Sequence, residues 1–251
     1  MLDPTKRFSS RVESYLKHRP SYPRDVIDLL KSQCGLTSGS VIADVGSGTG
    51  LLSELLLREG CKVFCVEPNP GMRAAAEKVL AKYPNFMSIS GTAEHTTVAE
   101  NSIDLITVGQ AFHWFDPRGT RQEFLRILKP GGWVALVWNG FQITTEATSA
   151  FQNLVVRYST DYHEAVRELL DQDIESFFRP GKCRRELFKN EQLLDFEGLI
   201  GRLLSMSYAP QPDEPNYEPL LEGLREVFDQ HQRQGKMTIS YDTPVYFGQL
   251  T

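Results

Sequence analysis

The chain of 251 residues lacks the features that mark several large classes of protein. It has no run of about 20 apolar residues, so no membrane-spanning helix is predicted. Its first eleven residues are polar, which does not fit a secretory leader. No dense Lys/Arg block appears and the net charge is −5, which disfavours a nucleic-acid-binding surface. We therefore expect a cytoplasmic protein with no membrane insertion and no nucleic-acid partner.

Cysteine is also scarce, with only four residues in the chain. The spacing of Cys34, Cys61, Cys65 and Cys183 matches neither a zinc site nor a redox pair. The sequence therefore predicts free thiols in a reducing compartment, and no metal is expected. The hydrophobic content of 41% is sufficient for the core of one α/β domain.

A glycine-rich turn is the most informative feature that is present. Residues 41–45 predict a buried strand, and Gly46, Gly48 and Gly50 follow it before a helical pattern begins. Glycines at such a turn let the backbone approach a ligand at the carboxyl edge of a parallel sheet. Leu51 stands where the dinucleotide fingerprint needs its third glycine, and no P-loop Gly-Lys-Ser/Thr follows. The turn thus predicts a nucleotide-type cofactor site of another kind.

Strand and helix patterns alternate from residue 41 to about residue 139, which predicts βαβ crossovers and a parallel sheet. The predicted strands are 41–45, 62–66, 86–90, 102–109 and 133–138, and the predicted helices are 50–58, 71–82 and 117–128. Beyond residue 139 the sequence predicts helical structure over 144–178, a strand at 184–188, helices at 192–205 and 218–234, a loop at 208–219 and a last strand at 237–249.

An acidic residue stands at the end of the second predicted strand. Glu67 lies about 20 residues beyond the glycines, where a carboxylate can accept hydrogen bonds from both hydroxyls of a ribose. The alternative role for Glu67 is to cap the helix that follows.

The segment Asp44-Val45-Gly46-Ser47-Gly48-Thr49-Gly50 resembles motif I of the class I S-adenosylmethionine-dependent methyltransferases. Two further segments resemble motifs of the same family: Gly91-Thr92-Ala93-Glu94 and Leu128-Lys129-Pro130-Gly131-Gly132. The segment Arg19-Pro20-Ser21-Tyr22-Pro23 resembles the entry segment of its type 11 (UbiE-like) and trans-aconitate-methyltransferase-like branch. The resemblance is strong over residues 8–139.

This resemblance implies an α/β, Rossmann-like, doubly wound sheet of seven strands. The sheet is mixed, its last strand is antiparallel, and a helical insertion follows the fifth strand. A single domain over residues 1–251 is expected. Its cofactor-binding core spans 8–139, and elaborations at 140–182 and 205–235 form the acceptor side.

The resemblance also implies S-adenosylmethionine as cofactor and S-adenosylhomocysteine as product. Glu67 then binds the ribose, Met72 packs on the adenine, Arg19 meets the methionine carboxylate and Gln110 lies near the methionine portion. Thr92 replaces the acid common in the family's adenine motif. The full set of expected cofactor residues is Tyr15, Arg19, Asp44, Gly46, Ser47, Gly48, Gly50, Glu67, Met72, Ala93, Glu94 and Gln110.

A small-molecule acceptor is expected, bound to a monomer or homodimer. His113 is the histidine at the predicted sheet edge, and its ordinary pKa near 6.5 suits a general base. Tyr22, Trp114 and Tyr208 are expected to contact the acceptor. Arg157, Arg167, Arg179 and Arg202 could bind a carboxylate acceptor, although we expect them on solvated helix faces.

Three other functions compete with a small-molecule methyltransferase. An NAD-dependent oxidoreductase is disfavoured by Leu51 and Asp44. A non-catalytic protein that binds S-adenosylmethionine or S-adenosylhomocysteine would keep the same motifs. A DNA or RNA methyltransferase is disfavoured by the acidic net charge.

Overall fold

A computed structural model describes residues 16–159 and 171–250. Its strands are β1 (Val41–Val45), β2 (Lys62–Val66), β3 (Phe86–Ile89), β4 (Ile103–Gly109), β5 (Leu128–Val137), β6 (Gly140–Phe141), β7 (Cys183–Leu194) and β8 (Met237–Gly248). Its helices are α1 (Arg24–Cys34), α2 (Leu51–Arg58), α3 (Pro70–Leu80), α4 (Pro117–Ile127), α5 (Glu146–Tyr158), α6 (Asp171–Phe178), α7 (Phe196–Leu204) and α8 (Tyr217–His231), with a 3₁₀ turn at Phe112–Trp114.

One mixed sheet organises the fold. Its order is β3-β2-β1-β4-β5-β8-β6, with β7 also paired to β8. The first five strands run parallel, and β8 is antiparallel to β5, β6 and β7. The predicted fold class is therefore confirmed. The sheet has eight strands among the described residues instead of seven, because the two-residue β6 is too short to leave a sequence pattern.

Two predicted boundaries after β6 are wrong. The strand expected at 184–188 extends over twelve residues, and the helix expected from residue 192 begins at Phe196. From Phe188 to Leu194 every second side chain is half-buried, as a strand with one covered face requires. The Asp195 side chain then accepts a hydrogen bond from the Gly198 N–H at 2.8 Å, and this cap starts α7.

Apolar side chains pack in three clusters. One lies under α1 and α2, and a second lies on the opposite face of the sheet under α4 and α6. The third is formed by α5, α7, α8 and the first half of β8. The elaborations thus have a core of their own beside the sheet.

The structure bears on two expectations from composition. The four cysteines are free thiols, with Cys61 and Cys65 buried. Over the two described segments, no helix is both long and apolar enough to cross a bilayer, and no group of three metal-ligating side chains is found.

Candidate active site

The glycine turn between β1 and α2 has a left-handed backbone. Gly46, Gly48 and Gly50 have φ angles of 68°, 56° and 87°, values that glycine adopts without strain. The backbone N–H groups of Gly46 and Ser47 both donate to the Val66 carbonyl, at 2.8 and 3.2 Å. The turn is therefore held against the end of β2.

The three glycines differ in what surrounds them. A Cβ on Gly46 would lie 2.6 Å from the Ala111 Cβ, and one on Gly50 would lie 2.5 Å from the Leu80 Cδ1. A Cβ on Gly48 would have no atom within 4 Å. Gly46 and Gly50 are thus required by packing, whereas Gly48 faces open space.

Glu67, at the end of β2, supports this turn with both carboxylate oxygens. Its Oε2 accepts from the Gly48 N–H at 2.9 Å, and its Oε1 accepts from the Asn69 N–H at 2.8 Å. Burial raises the pKa of Glu67, and these two N–H groups, together with the charge of Arg73, oppose that rise. Glu67 is not the cap of α3, because the Asn69 side chain accepts from the N–H groups of Gly71 and Met72.

Asp44 lies beneath the turn and is 1% exposed. Its carboxylate accepts hydrogen bonds from the Ser53 hydroxyl and, at 2.8 Å, from the Thr107 hydroxyl. Burial raises the pKa of Asp44 from its ordinary 3.8 to about 6, although these hydrogen bonds act in the opposite direction. Asp44 thus holds β1, α2 and β4 together at the base of the site.

The raised pKa of Asp44 predicts a pH-dependent stability. The folded protein binds this proton more tightly than the unfolded chain does. The stability from protonated Asp44 is therefore complete below the ordinary pKa of 3.8 and is lost as the pH rises through about 6.

The variant Asp44→Asn cannot ionise, so its stability should lack this pH dependence. Between about pH 4 and pH 7, the free energy of unfolding should shift by about 2.5 kcal/mol in favour of Asp44→Asn relative to wild type. Urea unfolding of both proteins across this range measures the shift, and a difference that stays constant with pH would contradict it.

A cavity opens in front of the turn, at the carboxyl ends of β1, β2 and β4. Its walls are mostly apolar, with the Glu67 carboxylate at one side. It is lined by Gly46, Gly48, Glu67, Pro68, Asn69, Met72, Thr92, Ala93, Glu94, Gly109, Gln110, Ala111, Trp114 and Phe115. A smaller cavity behind it is lined by Tyr22, Asp44, Gly46, Ser47, Leu51, Leu52 and Gly109.

Most of the predicted cofactor residues thus come together at one place. Like Glu67, two others that line the cavity, Glu94 and Gln110, are also hydrogen-bonded within the chain. The Glu94 carboxylate accepts from the Asp116 N–H at 3.0 Å, at the start of α4. The Gln110 amide donates to the Asn139 carbonyl at 3.0 Å, and Gln110 itself has a left-handed φ of 58°. This backbone conformation is uncommon for a residue with a side chain, and it turns the chain at the end of β4.

Other predicted residues lie outside the cavity walls. Arg19 donates to the Ser205 carbonyl at 2.9 Å, and Tyr208 packs against the third apolar cluster. The His113 ring is half-exposed with its centroid 4.8 Å from that of Trp114, which does line the cavity. Tyr15 and Arg167 lie outside the described residues.

The expectation that Arg202 lies on a solvated helix face is wrong. Arg202 is 3% exposed. Its guanidinium donates to the Tyr241 hydroxyl at 2.9 Å and to the Ser205 hydroxyl at 3.4 Å, and it lies over the Phe141 ring. Helical periodicity could not show this, since the cover comes from β6 and β8. Arg157 and Arg179 are exposed as expected.

Sequence reasoning missed several residues that build the site. Asn69 caps α3 and lines the cavity, and the motif Asn69-Pro70 just before a helical pattern was a signal for this. The Asn139 backbone carbonyl accepts a hydrogen bond from the Gln110 amide, and its side-chain oxygen accepts one from the Thr243 hydroxyl. The Asn139 side-chain amide donates to the Ser21 carbonyl at 3.2 Å. Its position directly beyond the fifth strand was the only hint in the sequence.

The hydrogen-bonding groups around the cavity, some with a partner in the chain and one without, fit an adenosine-type ligand. The Ser47 hydroxyl is buried and makes no hydrogen bond to any part of the chain that the structure describes. It belongs to the same turn as Gly48, whose missing Cβ leaves space beside the Glu67 carboxylate. One side of the cavity thus offers polar groups and a backbone that a ligand can approach closely. The other side offers an apolar wall that includes Met72.

Part of the chain resembles known proteins in sequence. Residues 43–136 match a family described as a methyltransferase domain. An uncharacterised methyltransferase of Mycobacterium tuberculosis is 38% identical over 137 residues, which are 55% of this chain and 54% of that protein. The chain spans about half the length of the curated relatives it matches.

Two solved structures share the fold. One is a protein of Anaeromyxobacter dehalogenans assigned as a type II methyltransferase, with a TM-score of 0.65 and 20% identity over 92% of this chain and 98% of that one. The other is the phosphoethanolamine N-methyltransferase 2 of Haemonchus contortus, with a TM-score of 0.58 and 18% identity over 98% of this chain and 58% of that one. These comparisons are consistent with the resemblance seen in the sequence: residues 43–136 match a methyltransferase-domain family, and the two solved structures share the fold.

Proposed function

We propose that this protein transfers a methyl group from S-adenosylmethionine to a small-molecule acceptor. The observation that carries the proposal is the cradle made by Gly48 and Glu67. The open space at Gly48 allows a ligand to reach the backbone, and the Glu67 carboxylate stands beside it. The cofactor residues would be the glycine turn, Glu67, Met72 and the loop at Ala93, as the family resemblance implies.

When bound, S-adenosylmethionine supplies a methyl group that its positively charged sulfur already activates for transfer. The work of the protein is then to position both partners and to exclude water. Correct placement alone can lower the barrier by about 7–11 kcal/mol. Trp114 and Phe115 suit this work, because aromatic walls keep the cavity dry and tolerate a cation.

A small acceptor is supported by charge and by the shape of the fold. The net charge of −5 disfavours nucleic acid. The acceptor side would be formed by Trp114, the segment around Tyr22, and the elaborations α5, α7 and α8, which share an apolar core of their own. The Haemonchus structure contains phosphomonomethylethanolamine and S-adenosylhomocysteine, so the same fold in that protein accepts a small molecule.

The test combines binding with turnover. The purified protein is titrated calorimetrically with S-adenosylmethionine and S-adenosylhomocysteine. It is then incubated with methyl-labelled S-adenosylmethionine and a panel of small carboxylic acids, amines and lipid-like metabolites. Micromolar binding and release of S-adenosylhomocysteine with at least one acceptor would support the proposal. Binding without turnover across the panel would favour the non-catalytic alternative, and the absence of binding would overturn both.

His113 is proposed as the general base for an acceptor that must lose a proton. We expect His113→Ala to lower kcat by about 10²–10⁴-fold while leaving the Kd for S-adenosylmethionine within about twofold. The ring lies beside Trp114, which lines the cavity, but His113 itself is not part of the cavity wall, so binding should be little affected. His95→Ala, in the exposed loop before β4, is the matched control. Equal kcat values for His113→Ala and wild type at saturating acceptor would exclude His113 from the chemistry.

A further inference from the structure

Within residues 16–159 and 171–250, no strand covers the outer edge of β7. β8 is the only strand paired with β7 among the described residues. β7 is twelve residues long, and the side chains of Arg185, Leu187, Lys189, Glu191 and Leu193 are all exposed. These five residues alternate along the strand, so they lie on one face of the sheet. Leu187 and Leu193, at 44% and 60% exposed, are among the most exposed large apolar side chains of the molecule.

A long strand with one free edge can pair with another strand, and natural proteins usually prevent this with charged residues. The exposed face of β7 has both positive and negative side chains. Their order along the strand decides whether they prevent pairing or select a partner. A second copy of the same strand is the partner whose charges are known, because they are those of β7 itself.

Two copies of an edge strand join antiparallel about a twofold axis perpendicular to the sheet. In such an interface each contact occurs twice, and one residue lies on the axis opposite itself. Residues directly opposite each other lie on the same face and touch. The possible registers of β7 are therefore few, and each can be compared by charge.

Most registers bring like charges together. If the twofold axis passes through a charged residue, that residue lies opposite its own copy; this applies to Arg185, Glu186, Lys189 and Glu191. If the axis passes through Leu187, Arg185 lies opposite Lys189 of the second copy. Between residues 185 and 191, only the registers centred on Phe188 and Asn190 avoid this. Like charges directly opposite each other destabilise a strand pair.

The register centred on Asn190 also uses the exposed leucines. It places Lys189 opposite Glu191 of the second copy and Leu187 opposite Leu193 of the second copy, and each of these pairs occurs twice. The register centred on Phe188 pairs Arg185 with Glu191 of the second copy, but it sets Leu187 against Lys189, so the exposed leucines do not meet. We propose that this protein forms a homodimer through β7, paired antiparallel about Asn190, so that the two sheets become one continuous sheet.

This dimer would leave the cofactor cavity accessible. β7 lies at the far side of the sheet from β3, and none of the residues that line the cavity belongs to it. The proposed dimer can therefore be tested independently of the proposed methyl transfer.

A charge exchange tests both the dimer and its register. The wild-type protein is expected to sediment as a dimer at about 100 µM in low salt. Lys189→Glu sets a glutamate against Glu191 of the other copy in both pairs, and Glu191→Lys sets a lysine against Lys189 of the other copy in both pairs. Because each change affects two pairs, either variant should associate at least about tenfold more weakly. An equimolar mixture of the two variants restores both opposite-charge pairs and should again form dimers.

The Lys189 ammonium group also forms an ion pair with Asp242 of the same chain, at 2.6 Å. Because Lys189→Glu removes this ion pair, the folding of the variant must be checked separately. Thermal unfolding of each variant measures this. Lys236→Glu and Glu226→Lys, both at exposed positions outside β7, are matched controls that should dimerise like wild type. A monomeric wild type, single variants that still dimerise, or a mixture that stays monomeric would each overturn the proposal.

Discussion

Glu67→Ala is expected to weaken binding of S-adenosylmethionine at least about 100-fold. A carboxylate that accepts two hydroxyl hydrogen bonds contributes about 1.5–3 kcal/mol for each, and both are lost together. The change also removes the acceptor of the Gly48 N–H, so the turn that approaches the ligand loses its support. Titration calorimetry with S-adenosylmethionine and S-adenosylhomocysteine measures the loss, which should be similar for both ligands because they share the ribose.

Two further variants separate binding from folding in this experiment. Glu67→Gln keeps the size of the side chain and removes its charge and one acceptor, so it should bind more weakly than wild type while unfolding at a similar temperature. Glu77→Ala removes the same charge from the exposed side of α3 and should bind normally. If Glu67→Ala and wild type had the same Kd, the assignment of the ribose site to Glu67 would be wrong.

Local sequence signals were sufficient for the part of the fold that holds the cofactor site. β1 and β2 have the bounds predicted from the sequence, and the glycines mark the turn between β1 and α2. Glycine leaves such a clear signal because only its backbone tolerates a left-handed φ without strain. The position of Glu67 followed from the same spacing.

Contacts between distant segments left no such signal. The burial of Arg202 depends on Phe141 and Tyr241, which reach it from β6 and β8. The carbonyl that the Gln110 amide contacts belongs to Asn139, 29 residues further along the chain. The sequence places the start of α7 too early because Leu193 and Leu194 fit a helical pattern as well as a strand, and only pairing with β8 decides between them.

Gly48→Ala should weaken S-adenosylmethionine binding by about tenfold or more, and it should lose stability only through backbone strain. The new methyl group would meet no protein atom within 4 Å, so it would occupy the space left for the ligand. The left-handed φ of 56° adds a folding cost of about 1–2 kcal/mol for any residue with a Cβ. Calorimetric Kd values and urea unfolding, measured on the same protein samples, test both parts of this prediction.

Gly46→Ala and Gly35→Ala show which part of the effect belongs to the ligand. Gly35, at the end of α1, has a φ of 69°, and a Cβ on it would also have no atom within 4 Å, but it lies outside the cavity. Gly35→Ala should therefore lose stability as Gly48→Ala does and bind normally. Gly46→Ala brings its Cβ to 2.6 Å from that of Ala111, so overpacking of about 1–3 kcal/mol should add to the backbone strain and lower its stability furthest. Normal binding by Gly48→Ala would mean that the ligand does not approach this turn, and the proposed cradle would have to be abandoned.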